Sequence, residues 1–319
     1  MLTKDFLTLA EISPPQLEFI LSLSSKLKST RGKAGGHLLR GKSVALLFEK
    51  PSTRTRVSFQ VATNELGGFP IVLSASEIQL GRGETIEDTA RVLSRLVHVI
   101  MARVILHEEV ARLAEASSVP VINGLSDLYH PVQILADLLT LKERNGSLKG
   151  LKVAWVGDGN NVCNSWMYGA ALSGIDLHVA TPPLYRPLAA AIQNARRIAR
   201  VANSTITVTD DPIQAVSDSD CVITDTFVSM GFDKERDERI KTFLPKYQVN
   251  EKLMAHAKKN AIFQHCLPAH RGEEVTAAVI DGRNSAVWDE SENRLHTTKA
   301  LLLYLLLGQK RVHNLLKSL

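Results

Sequence analysis

Five consecutive hydrogen-bond donors, Ser52-Thr53-Arg54-Thr55-Arg56, follow the apolar run SVALLF at 43–48 and the break Glu49-Lys50-Pro51. The pattern reads as a strand handing over to a helix. A helix start offers free N–H groups and the positive end of the helix dipole, both of which favour an anion. Ser52, Thr53 and Thr55 add hydroxyl donors, and Arg54 and Arg56 add planar forks that match phosphate oxygens. Capping a helix needs one such residue rather than five. The stretch therefore points to a multiply charged anion, with Arg56 open to either a ligand or a structural role. It is not a P-loop, because GxxxxGK[ST] occurs nowhere in the chain.

Four other polar clusters stand near the ends of apolar runs. VGDGNNV (156–162) lacks the third glycine of a dinucleotide fingerprint, and no acidic residue closes the next run at 177–181. Its Asn160 and Asn161 instead offer amide donors and acceptors. DLYHPVQILAD (127–137) places His130 before a proline and Gln133 three residues later, at a loop-to-helix junction. DTFVSMG (225–231) ends a run with Asp225 and continues through Ser229 and Met230. QHCLPAHRG (264–272) delivers Cys266, Leu267 and Pro268. Zinc could use His265, Cys266 and His270, but neither a second cysteine pair nor HExxH supports such a site. Taken singly, a buried cysteine is a small core residue and a strand-terminal aspartate is a helix cap. Taken together, these groups occupy the strand-end positions where α/β enzymes build sites.

The elements that must position them alternate. Apolar runs at 43–48, 70–74, 99–104 and 119–123 read as strands in the first half; 151–157, 177–181, 221–225, 261–266 and 286–290 do so in the second. Helical patterns cover 14–28, about 53–66, 85–97, 108–116 and 131–144, and a last helix runs from about Arg294 to Gly308. Short apolar strands separated by helices mark parallel sheets covered on both faces. The expected fold is α/β: two domains, each with a mainly parallel sheet flanked by helices, and the active site in the cleft between them. Asn145-Gly146-Ser147 is the expected hinge. It divides a first domain, 1–145, from a second, 146–293, with the terminal helix, about 294–319, packing back on the first.

The 319 residues suffice for two such cores. Net charge is +5, but the basic residues form neither a block nor an aromatic-interleaved patch, so no nucleic-acid partner is expected. Three cysteines without framework spacing suit a reducing compartment. The start, MLTKDFLTLAEISPPQ, lacks the pattern of a signal or transit peptide, and ALLLYLLL (300–307) is too short to span a bilayer. A cytoplasmic protein without a membrane partner is expected.

FEKPSTRTR (48–56), ARV (102–104), NGLSDLYHP (123–131), HPVQ (130–133), GDGNN (157–161), DTFVSMG, HCLP (265–268) and ENR (292–294) occur in an order and spacing that closely resemble the aspartate/ornithine carbamoyltransferase family. The resemblance runs from the N-terminal helix to the last one and is stronger to members that use ornithine. It implies transfer of the carbamoyl group of carbamoyl phosphate to the δ-amine of L-ornithine, giving L-citrulline and phosphate, in arginine biosynthesis. No cofactor and no metal are implied.

By position, the resemblance assigns carbamoyl phosphate to Ser52, Thr53, Arg54, Thr55, Gln79, Arg103, His130, Pro131, Val132, Gln133, Cys266, Leu267 and Arg294. It assigns ornithine to Asn161, Asp225, Ser229 and Met230, and catalysis to Cys266, Arg103, His130 and Asp225. Gln79 matches a loop residue that reaches into a neighbouring subunit's site, which implies a homotrimer or a multiple of trimers. Leu267-Pro268 matches a position where family members often have a cis peptide bond. Phe227 stands where a tryptophan is usual, which leaves acceptor-size selection open. Cys266 is expected to act as a thiolate beside the substrate's ammonium group, and the segment around Gly231 as a lid. Family members that use aspartate, N-acetylornithine, N-succinylornithine, putrescine or lysine are the nearest alternatives. A non-catalytic binding protein on the same fold is the more distant one.

Overall fold

The computed structural model describes residues 4–33, 35–229 and 233–316. The chain divides into two compact units, one of residues 1–139 and 292–319 and one of residues 140–291.

The first unit carries four parallel strands: β1 (Ser43–Phe48), β2 (Phe69–Ser74), β3 (Val99–Arg103) and β4 (Val121–Leu125), in the order β2-β1-β3-β4. β3 is buried throughout and β1 in all but its first residue, as expected where helices cover both sheet faces. β2 is a half-exposed edge strand. Ala45, Leu47, Ile100 and Ala102 pack with Val110 and Leu113 of helix His107–Ala116 on one face. Residues after 292 belong to this unit through specific contacts. Lys28 Nζ donates to Asn293 Oδ1 at 2.8 Å, Gln16 Nε2 to the Tyr304 hydroxyl at 2.6 Å, and Lys299 pairs with Glu65. Leu301, Leu302, Leu303 and Tyr304 are fully buried, each contributing about 1.5–3 kcal/mol on the usual scale for apolar side chains.

The second unit carries five parallel strands: β5 (Lys152–Val156), β6 (Asp176–Ala180), β7 (Ile206–Thr209), β8 (Cys221–Thr224) and β9 (Ile262–His265), in the order β7-β6-β5-β8-β9. Val156, Val222, Phe227, Phe243 and Phe263 anchor its core. Each unit is thus a parallel α/β sheet flanked by helices, as the alternation of patterns indicated.

Two segments differ from the sequence reading. AVWDE (286–290) is not a strand: Ser285 forms one bridge to Phe263, and Val287 opens the helix Val287–Leu307. A short apolar run does not distinguish strand from helix, and Asp289 and Glu290 in the first turn favour the helix dipole. β7, in contrast, gives no apolar run. Its ITVT sequence is a half-exposed edge strand carried by β-branched side chains. No helix among the described residues is long and apolar enough to cross a membrane.

Candidate active site

In both units the strand order reverses beside the unit's first strand, between β1 and β3 and between β5 and β8. Open parallel sheets bind ligands at the carboxyl ends of strands at such a switch point. Among the described residues, the clusters at 52–56, 127–137, 157–161, 225–229 and 264–268 lie at or just after strand carboxyl ends, whereas Gln79 lies in a turn and Arg294 in a helix.

At the first switch point, β1 leads into helix Arg54–Glu65. Its N-cap, Thr53, makes no side-chain cap bond, so its hydroxyl does not occupy the first-turn N–H groups. Thr55 is 1% exposed and its Oγ1 accepts from Arg294 Nη2 at 2.9 Å. Arg56 is exposed, on a different face from buried Thr55, which makes it a surface residue. Arg103 is the last residue of β3, 7% exposed, at a register shift that re-aims the chain. Val104 N–H bonds Leu125 O, and Glu49 N–H bonds Arg103 O, tying the ends of β1, β3 and β4 together.

The loop after β4 is braced from within. Asn123, fully buried, donates through Nδ2 to Leu7 O at 3.1 Å and Tyr129 O at 3.4 Å. The brace presents His130, 4% exposed, ahead of helix Pro131–Asn145, whose Pro131 and Val132 are buried. Burial, followed by the charges of Arg294, Arg103 and Arg54, holds the His130 imidazole well below its usual pKa. It is therefore neutral near pH 7. Gln133 takes a hydrogen bond from Arg294 Nη1 and donates from Nε2 to Asp137 at 2.7 Å. Arg294 thus braces both Thr55 and Gln133. Gln79 is exposed in the turn Gln79–Arg82, and among the described residues its side chain makes no hydrogen bond to this cluster.

At the second switch point, β5 runs into Gly157-Asp158-Gly159 and helix Asn161–Ser173. Gly159 is required there, since a Cβ would lie 2.2 Å from Pro187 N. Asn160 caps the helix, its Oδ1 accepting from Val162 and Cys163 N–H, and its Nδ2 donates to Asp225 Oδ2 at 2.7 Å. Asn161, half-buried, accepts from Val162 N–H at 3.0 Å through its own Oδ1. Asp225, 6% exposed beyond the end of β8, accepts at Oδ1 from Thr226 N–H at 2.8 Å and from Cys266 Sγ at 3.1 Å. That last contact needs a proton between sulfur and oxygen, because a thiolate would face the carboxylate as a like charge. Without substrate, Cys266 Sγ is thus positioned as a donor to the Asp225 carboxylate.

Phe227 is fully buried and stacks on Phe243 at 4.6 Å, so its departure from tryptophan is a packing matter. Arg239 fixes the segment that follows Asp225. Its Nε donates to Phe227 O at 2.7 Å, its Nη2 pairs with Asp158, and its guanidinium lies 4.5 Å over the Tyr185 ring. Burial raises the Asp158 carboxyl to about 7 despite this partner, and Asp225 adds to the rise. Ser229 is half-buried; Met230 and Gly231 lie outside the described residues.

The peptide bond from Leu267, whose φ is 59°, to Pro268 is cis, as the resemblance implied. Sequence reasoning missed the glutamates that brace this segment. Leu267 N–H donates to His265 Nδ1 at 2.9 Å, so the His265 proton sits on Nε2, 3.2 Å from Glu274 Oε1. Glu290 Oε2 accepts from His265 N–H at 3.0 Å. His265, Glu274 and Glu290 are all essentially buried. Only a buried polar residue is informative here, and burial of glutamates 9 and 25 positions downstream has no local signal. The three residues weighed for zinc also separate: His265 and Cys266 group with Asp225, whereas His270 groups with Glu273 and Glu274.

One unit gathers Arg294, Arg103 and Arg54 about His130, and the other gathers Asn160 and Cys266 on Asp225. Family models match each unit separately. The carbamoyl-P binding domain model of the aspartate/ornithine carbamoyltransferases matches residues 4–143, and their Asp/Orn binding domain model matches residues 149–305. The chain belongs to the aspartate/ornithine carbamoyltransferase family.

As a member of that family it is a carbamoyltransferase. It is 53% identical over 304 residues to an ornithine carbamoyltransferase of Carboxydothermus hydrogenoformans, covering 95% of this chain and 97% of the relative. It is 51% identical to that of Bacillus subtilis, covering 94% and 92%. Among solved structures, ornithine carbamoyltransferase from Pyrococcus furiosus matches with TM-score 0.92 and 49% identity, covering 96% and 97%. The anabolic enzyme of Campylobacter jejuni matches with TM-score 0.90 and 42% identity, covering 95% and 99%.

Proposed function

We propose that this carbamoyltransferase uses L-ornithine, moving the carbamoyl group of carbamoyl phosphate to the δ-amine and giving L-citrulline and phosphate. The observation that carries the acceptor is the buried Asp225, with Asn160 and Cys266 hydrogen-bonded to its two oxygens. A carboxylate in that position suits an ammonium group. Aspartate as acceptor would require a cation for its second carboxylate, and Arg239, the buried arginine of this region, is committed to Asp158 and Phe227. The 49–53% identity to chains bearing the ornithine carbamoyltransferase name supports the same reading.

In this proposal Ser52, Thr53, Arg54, Thr55 and Arg103 hold the phosphate. The helix start and the guanidinium groups ease its departure as a dianion. The carbonyl oxygen gains negative charge as the amine attacks, and Thr55, Arg103 and neutral His130 converge on it as donors. Pro131, Val132, Gln133, Leu267 and Arg294 shape the carbamoyl end. Asn161, Ser229 and Met230 hold the amino-acid end of ornithine. The δ-ammonium, with a lysine-like pKa of about 10.4, must lose a proton before attack. Asp225 receives the ammonium, and the Asp225–Cys266 pair manages that proton. The amine nitrogen then bonds to the carbonyl carbon as the carbon–oxygen bond to phosphate breaks.

We further propose a homotrimer, or a multiple of trimers, in which Gln79 serves a neighbouring subunit's site. Phe69 and Leu96 of the first unit are 68% and 69% exposed, apolar surface of the kind that a subunit contact covers. We assign the activity to arginine biosynthesis in the cytoplasm, the commoner setting for a chain of this type. Three free cysteines accord with a reducing compartment. The test is citrulline formation from carbamoyl phosphate with ornithine, set against product formation with aspartate, N-acetylornithine, N-succinylornithine, putrescine and lysine. Ornithine should exceed every other acceptor; a different preferred acceptor overturns the assignment, and no turnover with any of them favours a binding protein.

A further inference from the structure

The turn that follows the Cys266 segment holds a second cluster, none of whose side chains is assigned to a substrate of the transfer reaction. One ligand atom each from His270, Glu273 and Glu274 lies within 4.8 Å of the others. We propose that these three side chains form a divalent-cation site, with zinc as the ion that best matches one imidazole and two carboxylates. The inference does not depend on which amine the enzyme carbamoylates.

Glu274 is fully buried, yet only one of its oxygens is satisfied. Oε1 accepts from His270 N–H at 2.6 Å and lies 3.2 Å from His265 Nε2, while Oε2 has no hydrogen-bond partner and lies 3.8 Å from His270 Nδ1. Glu273 repeats the arrangement: Arg236 pairs with Oε1, and Oε2 is buried without a partner. Leaving buried carboxylate oxygens without a donor is costly, and each adds to the reason for a cation. Arg236 offsets one of the two negative charges.

The geometry is preorganised. Each carboxylate is oriented by a bond to one oxygen and presents the other, which is how outer partners orient metal-binding carboxylates. Gln248 Nε2 braces the turn through Gly272 O at 2.9 Å and Glu273 O at 3.0 Å. Zinc ligands at about 2.1 Å from a tetrahedral ion stand about 3.4 Å apart, so the 3.8 Å between His270 Nδ1 and Glu274 Oε2 needs a shift of only a few tenths of an ångström. His270 Nδ1 also meets Thr226 Oγ1 at 3.2 Å. Binding an ion through that nitrogen would release Thr226, the residue next to Asp225.

The test is equilibrium dialysis of the chelator-stripped full chain against zinc, with bound metal counted per chain, for wild type, His270→Ala, Glu273→Gln and Cys266→Ser. His270 has an exposed side chain and Glu273→Gln preserves shape, so both variants should fold, which metal-free thermal melts verify. Wild type should bind one ion per chain. His270→Ala and Glu273→Gln should each weaken binding by at least about 10-fold, and Cys266→Ser should leave it unchanged. Cobalt in place of zinc should show no sulfur-to-metal charge-transfer band. Absence of binding to wild type, unchanged affinity in both His270→Ala and Glu273→Gln, or a charge-transfer band lost in Cys266→Ser would overturn the proposal. The last result would move the ion to Asp225, His265 and Cys266.

Discussion

The two units solve the same topological problem and deliver opposite chemistry. Each has a parallel sheet whose order reverses beside its first strand, and each places polar side chains at the carboxyl ends flanking that reversal. The first unit buries His130, and that burial, followed by the charges of Arg294, Arg103 and Arg54, holds the ring neutral. The second puts Asp225 there, with Asn160 and Cys266 on its oxygens. On the proposed function, the sheet decides where a ligand sits, and a few strand-end residues decide its charge. The support differs as well. The cationic half depends on a residue far along the chain, Arg294, bridging Thr55 and Gln133. The acceptor half depends on a turn whose braces, Glu274 and Glu290, lie within the same unit.

If the halves divide the labour in this way, single substitutions should separate the substrates. Asp225→Asn should have the largest effect, lowering kcat/KM for ornithine by about 10²- to 10⁴-fold through loss of the ammonium partner and the proton route. Carbamoyl phosphate affinity, measured by calorimetry, should stay within a factor of two or so of wild type, since general acid–base groups act on the amine. An equal loss of both would mean that the halves are not chemically distinct. Next comes Arg239→Leu, which leaves Asp158 buried without its partner and should cost about 3–5 kcal/mol of stability in the second unit. It also frees the Phe227 carbonyl, so KM for ornithine should rise; a normal melt and a normal KM together would show that Arg239 braces nothing. Arg103→Ala is the mirror of Asp225→Asn. A charge-assisted bond to phosphate contributes about 1.5–3 kcal/mol, so carbamoyl phosphate affinity should fall about 10- to 150-fold. Unchanged affinity would remove Arg103 from the cradle.

The contrast also explains what could be read from the sequence. The donor run 52–56 is legible because five consecutive donors exceed what a turn requires, and Asp225 and Cys266 are legible because each follows an apolar run. Parallel sheets helped, since strands buried on both faces announce themselves as apolar runs. The same criterion failed for β7, a half-exposed edge strand, and for 286–290, where an apolar start belonged to a helix. The bracing residues had no local signal. Nothing near Glu274 or Asn123 in sequence indicates that a carboxylate or an amide is turned inward to hold a neighbouring turn, because that depends on contacts made after folding. Arg56 shows the converse. Its sequence context equals that of Arg54, yet the helix turns it to the surface.

The smallest effects should lie in the pH dependence of stability, where each unit carries a carboxyl raised by full or partial burial. Burial raises Glu11 in the first unit to about 6, and its Oε2 accepts from Leu7 N–H at 2.7 Å. Burial raises Asp158 in the second to about 7. A carboxyl whose folded pKa is raised binds more protons folded than unfolded in the window between its two pKa values. Stability is therefore greatest below the unfolded value and falls as pH rises through the folded one. The Glu11 window runs from 4.5 to about 6 and the Asp158 window from 3.8 to about 7. Between pH 6 and 7 only the second unit should still be losing stability through these two groups. Hydrogen exchange followed by peptide mass spectrometry separates the units: protection in β5 and β8 should decline across pH 6 to 7 after correction for intrinsic exchange, while protection in β1 and β3 should not. Asp158→Asn should flatten the decline in the second unit and leave the first untouched. A decline of equal slope in both units would show that Arg239 keeps Asp158 ionised throughout, with the carboxylate's ion pair outweighing its burial.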